Sequence, residues 1–401
     1  MKITGLITEY NPFHLGHKLH LENAIKDTNA SYTIAIMSGH FVQRGYPALL
    51  DKWTRAKIAV LNGVDLVIEL PLIYSISSAE TFAYGACKIL NQTGIVDSLY
   101  FGSEHGDISA LEEIAEFLIN EDFEYKEILK KNLDLGLPYH KARVNSIKSL
   151  LPNINASQIL SNSNNILGIE YIKALLKLKS SIKPYTIKRV GANYNDSNLD
   201  SIIPSATAIR KSLNSNVSID ELKDTLPKET FNELKALKNS NYNFVFPEDT
   251  FKYLKYKILT EGNSLKNLSY VKEGLENKII KEILSSNSLD ELIMGVKSKR
   301  YTHTRISRIL ISYFIGLENY NCTSLINNEV HYIRPLAFNK KGSTLLKEIK
   351  KKENIEIITK VPKKINNNLL KLDLLGTKAY SILNKNISPM DDYLRSPFIL
   401  D

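Results

Sequence analysis

Two histidines flank a glycine in His14-Leu15-Gly16-His17, directly after a short apolar run and an Asn11-Pro12 turn. From Lys2 to His20 the chain reads as a short apolar strand, that turn, and the tetrad opening a helix. The first amides of a helix have no intrahelical partner, and the helix dipole adds partial positive charge, so anions bind there. The two imidazoles add donors that could be aimed at a phosphoryl group. Gly16 lets a ligand approach the backbone closely. The plain alternative is a surface turn with incidental histidines. Placement after the first strand favours chemistry, because structural context is what confirms so short a motif.

A second stretch of the same kind lies far along the chain: Pro204-Ser205-Ala206-Thr207-Ala208-Ile209-Arg210-Lys211. Ser205 and Thr207 suit a helix N-cap, and Arg210 falls in the first turn. Hydroxyls, free amides and a guanidinium at one helix start make a second phosphate cradle. Two such cradles could close on one triphosphate. A capped helix with a surface arginine is the alternative.

The elements that must position these groups alternate. Strands are expected at residues 31–37, 64–70, 96–101 and 184–190. Helices are expected at 53–61 and 79–90, and after Asp107, with Leu111, Ile114, Ala115 and Leu118 on one face. Residues 121–151 read as helical. A further helix follows Asn164-Asn165, with Ile169, Ile172 and Leu176 as its buried stripe. Strand–helix alternation implies a parallel, doubly wound sheet. Ligands of such sheets bind at the carboxyl ends of the strands. His40, Gln43 and Arg44, after the second strand, are therefore candidates to face a substrate; a turn cap and an ion pair are the blander roles. Gly102, after the fourth strand, leaves room for a base or ribose, or is a plain turn glycine. Arg189, near the end of the fifth, could reach a triphosphate or be solvated.

The chain has 401 residues, 43% hydrophobic and 24% charged, as in an ordinary globular protein of two or three domains. No apolar run approaches the roughly 18–20 residues of a membrane span. The start lacks a signal-peptide pattern. Cys87 and Cys322 stand apart, with no disulfide or zinc spacing. A cytoplasmic protein with no metal ligands of its own, no membrane and no evident protein partner is the expectation. Charge is uneven. The first 200 residues carry 20 Lys+Arg against 21 Asp+Glu, and the rest carry 32 against 22. The basic half is either a solvated lysine surface or a platform for phosphate backbones. There the alternation fades into helices at 229–237, 251–259 and 304–315, with loops at 239–243 and 261–264. Lys297 to Arg305 is the densest basic cluster, with Tyr301 and His303 interleaved. Arg305 and Arg308, three apart, share a helix face suited to RNA. A second basic patch, Lys340-Lys341, precedes a lysine-rich helix.

The paired signature, HxGH with a late S-x-T-x-I-R, resembles adenylyl-transferring enzymes of the nucleotidylyltransferase superfamily with a Rossmann-like HUP core. The longer strings EYNPFHLGH, MSGHFVQRG, DKWTRAKIAVLNGVDLVIELP, FGSEHGD, NNILGIEY, SATAIRK and KRYTHTRISR are more particular. To about residue 345 they resemble the bacterial tRNA(Met) cytidine acetate ligase family. The resemblance implies an α/β catalytic domain over residues 1–215 and a basic, mainly helical tRNA-binding domain over 216–401. It implies that ATP and acetate give acetyl-adenylate, and that the acetyl group passes to N4 of the wobble cytidine of elongator tRNA(Met). It carries an ATP site onto Ile7, Thr8, Glu9, Tyr10, Asn11, Pro12, Phe13, His14, Leu15, Gly16, His17, Lys18, Leu19, His20, Gly102, Asn164 and Arg189. Ser163 stands where the family has proline before that asparagine. Ser205 and Thr207 complete the second cradle, and His14, His17 and Arg210 are the expected catalytic groups.

These residue types fit the chemistry. Attack of a carboxylate on the α-phosphorus needs charge neutralisation and alignment, and no covalent nucleophile. Mg2+ held mainly by phosphates would leave little trace in a sequence. Acid selection is expected from Thr8, Tyr10 and His40 to Arg44. Two other readings keep part of the pattern. A small-molecule adenylyltransferase gives no role to the basic half, and an RNA-binding protein with a non-catalytic pocket gives none to the intact cradles.

Overall fold

The computed structural model describes residues 1–189, 205–215, 218–327, 330, 332–352 and 355–401. Val190 and Pro204, expected in the fifth strand and the second cradle, lie outside them. Seven strands form the main sheet: β1 (Ile3–Thr8), β2 (Tyr32–Ser38), β3 (Leu66–Leu70), β4 (Ser98–Ser103), β5 (Lys183–Lys188), β6 (Pro335–Asn339) and β7 (Phe398–Leu400). Their order is β7-β6-β3-β2-β1-β4-β5. β1 to β5 are all parallel, and β6 joins β3 antiparallel. Parallel strands covered on both faces read as unbroken apolar runs, and β2 and β3 are buried along nearly all their length.

The chain starts in the middle of this sheet. From β1 it steps to β2 and β3 on one side, then crosses back to β4 and β5 on the other. The reversal opens a crevice at the carboxyl end of β1, the switch point of a doubly wound sheet. The helix Leu15–Thr28 leaves from that point. The Asp107-capped helix runs Ile108–Asn120 and buries the four expected residues. In the helix Ser163–Lys177, Ile169 and Ile172 are buried but Leu176 is exposed. The expected stripe therefore ends one turn early.

The second half is mainly helical, but its last part does not stand apart from the sheet. Residues 218–327 hold helices, but the chain then returns to the sheet. β6 and β7 cover the edge of β3, which would otherwise offer unpaired backbone groups. The helix Lys340–Lys350 starts within the basic patch itself, with Asn339 as its N-cap. A buried ionic cluster ties this return to the sheet. Lys52 Nζ lies 2.8 Å from Glu69 and 2.9 Å from Asp392, and Arg334 lies 2.7 Å from Asp392. Removing one member would strand an uncompensated charge. No helix among the described residues is long and apolar enough to cross a membrane.

Candidate active site

After β1 the chain passes Tyr10, held at φ +46°, and a cis Asn11–Pro12 bond before entering the helix Leu15–Thr28. His14 is the N-cap. Its Nδ1 accepts the Gly16 amide at 3.0 Å, and the His14 amide donates to His17 Nδ1 at 3.3 Å. The two histidines thus cap the helix reciprocally, in the roles usually taken by serine and glutamate. The arrangement decides their protonation. Burial, with Arg189 and then Arg210 nearby, pulls His14 down to about 3. Burial, then His14, Arg189 and His20, holds His17 well below the usual range. Both rings are neutral at pH 7 and both Nδ1 atoms accept, so the one proton of each sits on Nε2. Two N–H donors remain, on rings 3.9 Å apart and tilted by 35°, at the positive end of a 14-residue helix.

The second cradle meets the first. Ser205 caps the helix Ala206–Asn214, accepting the Ala208 amide at 3.1 Å. Arg210 Nη1 donates to the Asn11 carbonyl at 2.6 Å, and Nη2 donates to Thr207 Oγ1 at 3.0 Å. The late arginine is thereby fixed against the loop that carries the histidines.

Both cradles line one cavity of about 500 Å3. Ile7, Thr8, Glu9, Tyr10, Asn11, His14, Gly16, His17, Leu19 and His20 face it, as do Gly102, Asn164, Arg189, Ser205 and Arg210. At Gly102 an added Cβ would lie 3.1 Å from Arg189 Cγ, so any side chain there would press on the arginine. Glu104 accepts from Asn164 Nδ2 at 2.6 Å and from the Asn165 amide at 2.9 Å. Asn165 is buried, spending its side chain on the His105 amide and the Ile159 carbonyl, so Asn164 is the asparagine at the cavity.

Several expected residues do not line it. Pro12 and Phe13 are buried behind the loop. Leu15 is outside the lining, Lys18 donates to the Asn62 carbonyl at 2.8 Å, and Thr207 touches Arg210 instead. His40 is a larger correction. Gln43 and Arg44 reach the cavity, but His40 is 3% exposed, stacked on Tyr380 with centroids 4.4 Å apart. Sequence reasoning also missed Phe82, Tyr171 and Thr304, and it put Arg308 on an RNA-binding face with Arg305 and not at the cavity. Phe82 follows the third strand, a placement that could have suggested it. Nothing local signalled that the helix carrying Thr304 and Arg308 reaches the crevice, because the fold alone brings it there.

A doubly wound sheet with an HxGH helix start at its switch point defines a nucleotidyl transferase, and the HIGH Nucleotidyl Transferase family model matches residues 1–393. The chain belongs to that family, in the branch of the tRNA(Met) cytidine acetate ligases. It is 51% identical over 401 residues to the tRNA(Met) cytidine acetate ligase of Clostridium novyi, with all of both chains covered. It is 47% identical over 403 residues to that of Clostridium tetani, again with both chains covered in full. The similarity thus runs beyond residue 345. Among solved structures, apo TmcAL of Thermotoga maritima superposes with a TM-score of 0.91 at 33% identity. The same enzyme bound to alpha-thio ATP superposes at 0.89 and 32%, and both cover each chain completely.

Proposed function

We propose that the protein is an ATP-dependent acetate ligase that acetylates N4 of the wobble cytidine of elongator tRNA(Met). The observation that carries this reading is the bond from Arg210 to the Asn11 carbonyl, which joins two distant phosphate cradles over one cavity. In the first half-reaction an acetate oxygen attacks the α-phosphorus and the bond to pyrophosphate breaks. The Nε2–H donors of His14 and His17, with Arg189 and Arg210, meet the charge that builds on the phosphate oxygens. In the second half-reaction the N4 amine attacks the acetyl carbon. The bond to AMP breaks, and the N4 proton is lost. ATP and tRNA place the reaction in the cytoplasm.

Glu9 is the one carboxylate among the described lining residues, and it already accepts the Gln43 amide at 2.9 Å. Mg2+ would therefore be held by the phosphates, whose charge it would neutralise. The test is one incubation with ATP, labelled acetate and tRNA. Label reaching tRNA without acetyl-CoA is expected. Absence of acetate-dependent pyrophosphate release would contradict the reading.

A further inference from the structure

The cavity has two halves, one on each side of β1. On the β4–β5 side stand Gly102, Asn164 and Arg189. On the β2–β3 side stand Gln43 and Arg44, at the tip of the hairpin Phe41–Val42/Tyr46–Pro47, and Phe82 in the helix Ala79–Thr93. This second half is closed by the helix His303–Ile315, which contributes Thr304 and Arg308. Hairpin and helix are locked together. Gly45 sits at φ +82°, and a Cβ there would lie 2.4 Å from the Arg308 backbone nitrogen. Ser307 Oγ lies 3.3 Å from the Tyr46 hydroxyl. Arg308 is therefore held at the cavity by packed backbone.

Arg308 also lacks a carboxylate partner among the described residues. Among the described residues it makes no hydrogen bond and no ion pair. Its charged neighbour Arg305 lies outside the cavity lining, laid over the Tyr301 ring at 4.4 Å. The two arginines expected to share one RNA-binding face are thus divided between two places. Burial draws Arg308 down to about 10, with Tyr270 opposing and Arg305 adding to the shift, so it stays charged at neutral pH. A half-buried guanidinium without a counter-ion is costly, and its planar fork matches a phosphate. The triphosphate already has its donors in the two cradles.

We propose that Arg308 binds a backbone phosphate of the tRNA beside the target cytidine, holding that nucleotide turned out of its stack in the β2–β3 half of the cavity. The proposal rests on the ligase reading above. It follows from where the acceptor must stand: the β4–β5 half belongs to ATP, so the N4 amine approaches from the other side, and a base reaches such a pocket only when extruded.

The full-length Arg308→Gln and Arg308→Lys variants test this in both half-reactions. For Arg308→Gln, acetyl transfer to tRNA should fall at least about tenfold, while acetate-dependent ATP–pyrophosphate exchange changes by less than about threefold. The salt dependence of tRNA binding should become shallower by about one charge, and Arg308→Lys should recover most of the transfer. Exchange falling in step with transfer would make Arg308 an ATP residue and overturn the proposal. A rise in the KM for acetate would overturn it in favour of carboxylate binding. Transfer left intact would overturn it outright. A wild-type enzyme that never labels tRNA would refute the ligase reading itself, before any variant is made.

Discussion

Two strands of this sheet end in a glycine-histidine context, and the two histidine sites have opposite fates. After β1, His14 and His17 line the cavity; after β2, His40 lies under Tyr380 with its Nδ1 3.3 Å from Thr377 Oγ1 and the Trp53 ring 5.3 Å away. All three rings are kept neutral, chiefly by burial. Neither residue type nor local context separates them. Position in the sheet does. The chain reverses at β1 and leaves a crevice, whereas the segments that follow β2 and β3 are covered by the returning helix Asn368–Leu383, through Thr377 and Tyr380 on His40 and Asp373 on the Leu72 amide. A histidine at the end of a strand is open to a ligand only where no later segment covers it.

The comparison breaks most sharply under substitution. His17→Ala should lower acetate-dependent ATP–pyrophosphate exchange by at least about a hundredfold, since it removes a donor meant for the transition state. Circular dichroism and thermal unfolding should show a folded protein. A His17→Ala enzyme with full exchange would erase the distinction between the two sites. His40→Leu should do the reverse. Loss of the stack and of the Thr377 contact should cost about 1–3 kcal/mol in urea unfolding, with exchange per folded molecule within about twofold.

The smallest effect is one of pH. Burial first, then Arg189, pulls His20 down to about 4, and His14 lies near 3, against about 6.5 in the unfolded chain. Their folded-state values are depressed, so the unfolded chain takes up protons that the folded rings refuse. The stability these rings allow is whole above about pH 6.5 and is lost as pH falls toward 4. His20→Asn should reduce the loss of unfolding free energy between pH 7 and 5 by about 1–2 kcal/mol. An unchanged slope would mean that His20 is not held neutral.

Much of this was legible in the sequence because it is local. Strand and helix periodicity gave β1 to β5, the Asp107 cap and both cradles, since each depends on neighbours a few residues away. The division of labour inside the cradles was also local: His14 and His17 can cap one helix because they are three apart. What stayed hidden is set by distant contacts. Two short strands near the end of the chain, Pro335–Asn339 and Phe398–Leu400, gain their pairing only at the β3 edge. His40 is covered by residues more than three hundred positions away. Arg308 looked like half of a surface pair with Arg305, and only the packing of Gly45 on its backbone turns it into the cavity.

A crystal structure with a non-hydrolysable ATP analogue would test the shared cradle most directly. The account predicts one triphosphate within about 2.7–3.1 Å of His14 Nε2, His17 Nε2 and the Arg210 guanidinium together. A triphosphate on the histidines alone, with Arg210 remaining on the Asn11 carbonyl and out of reach, would contradict it.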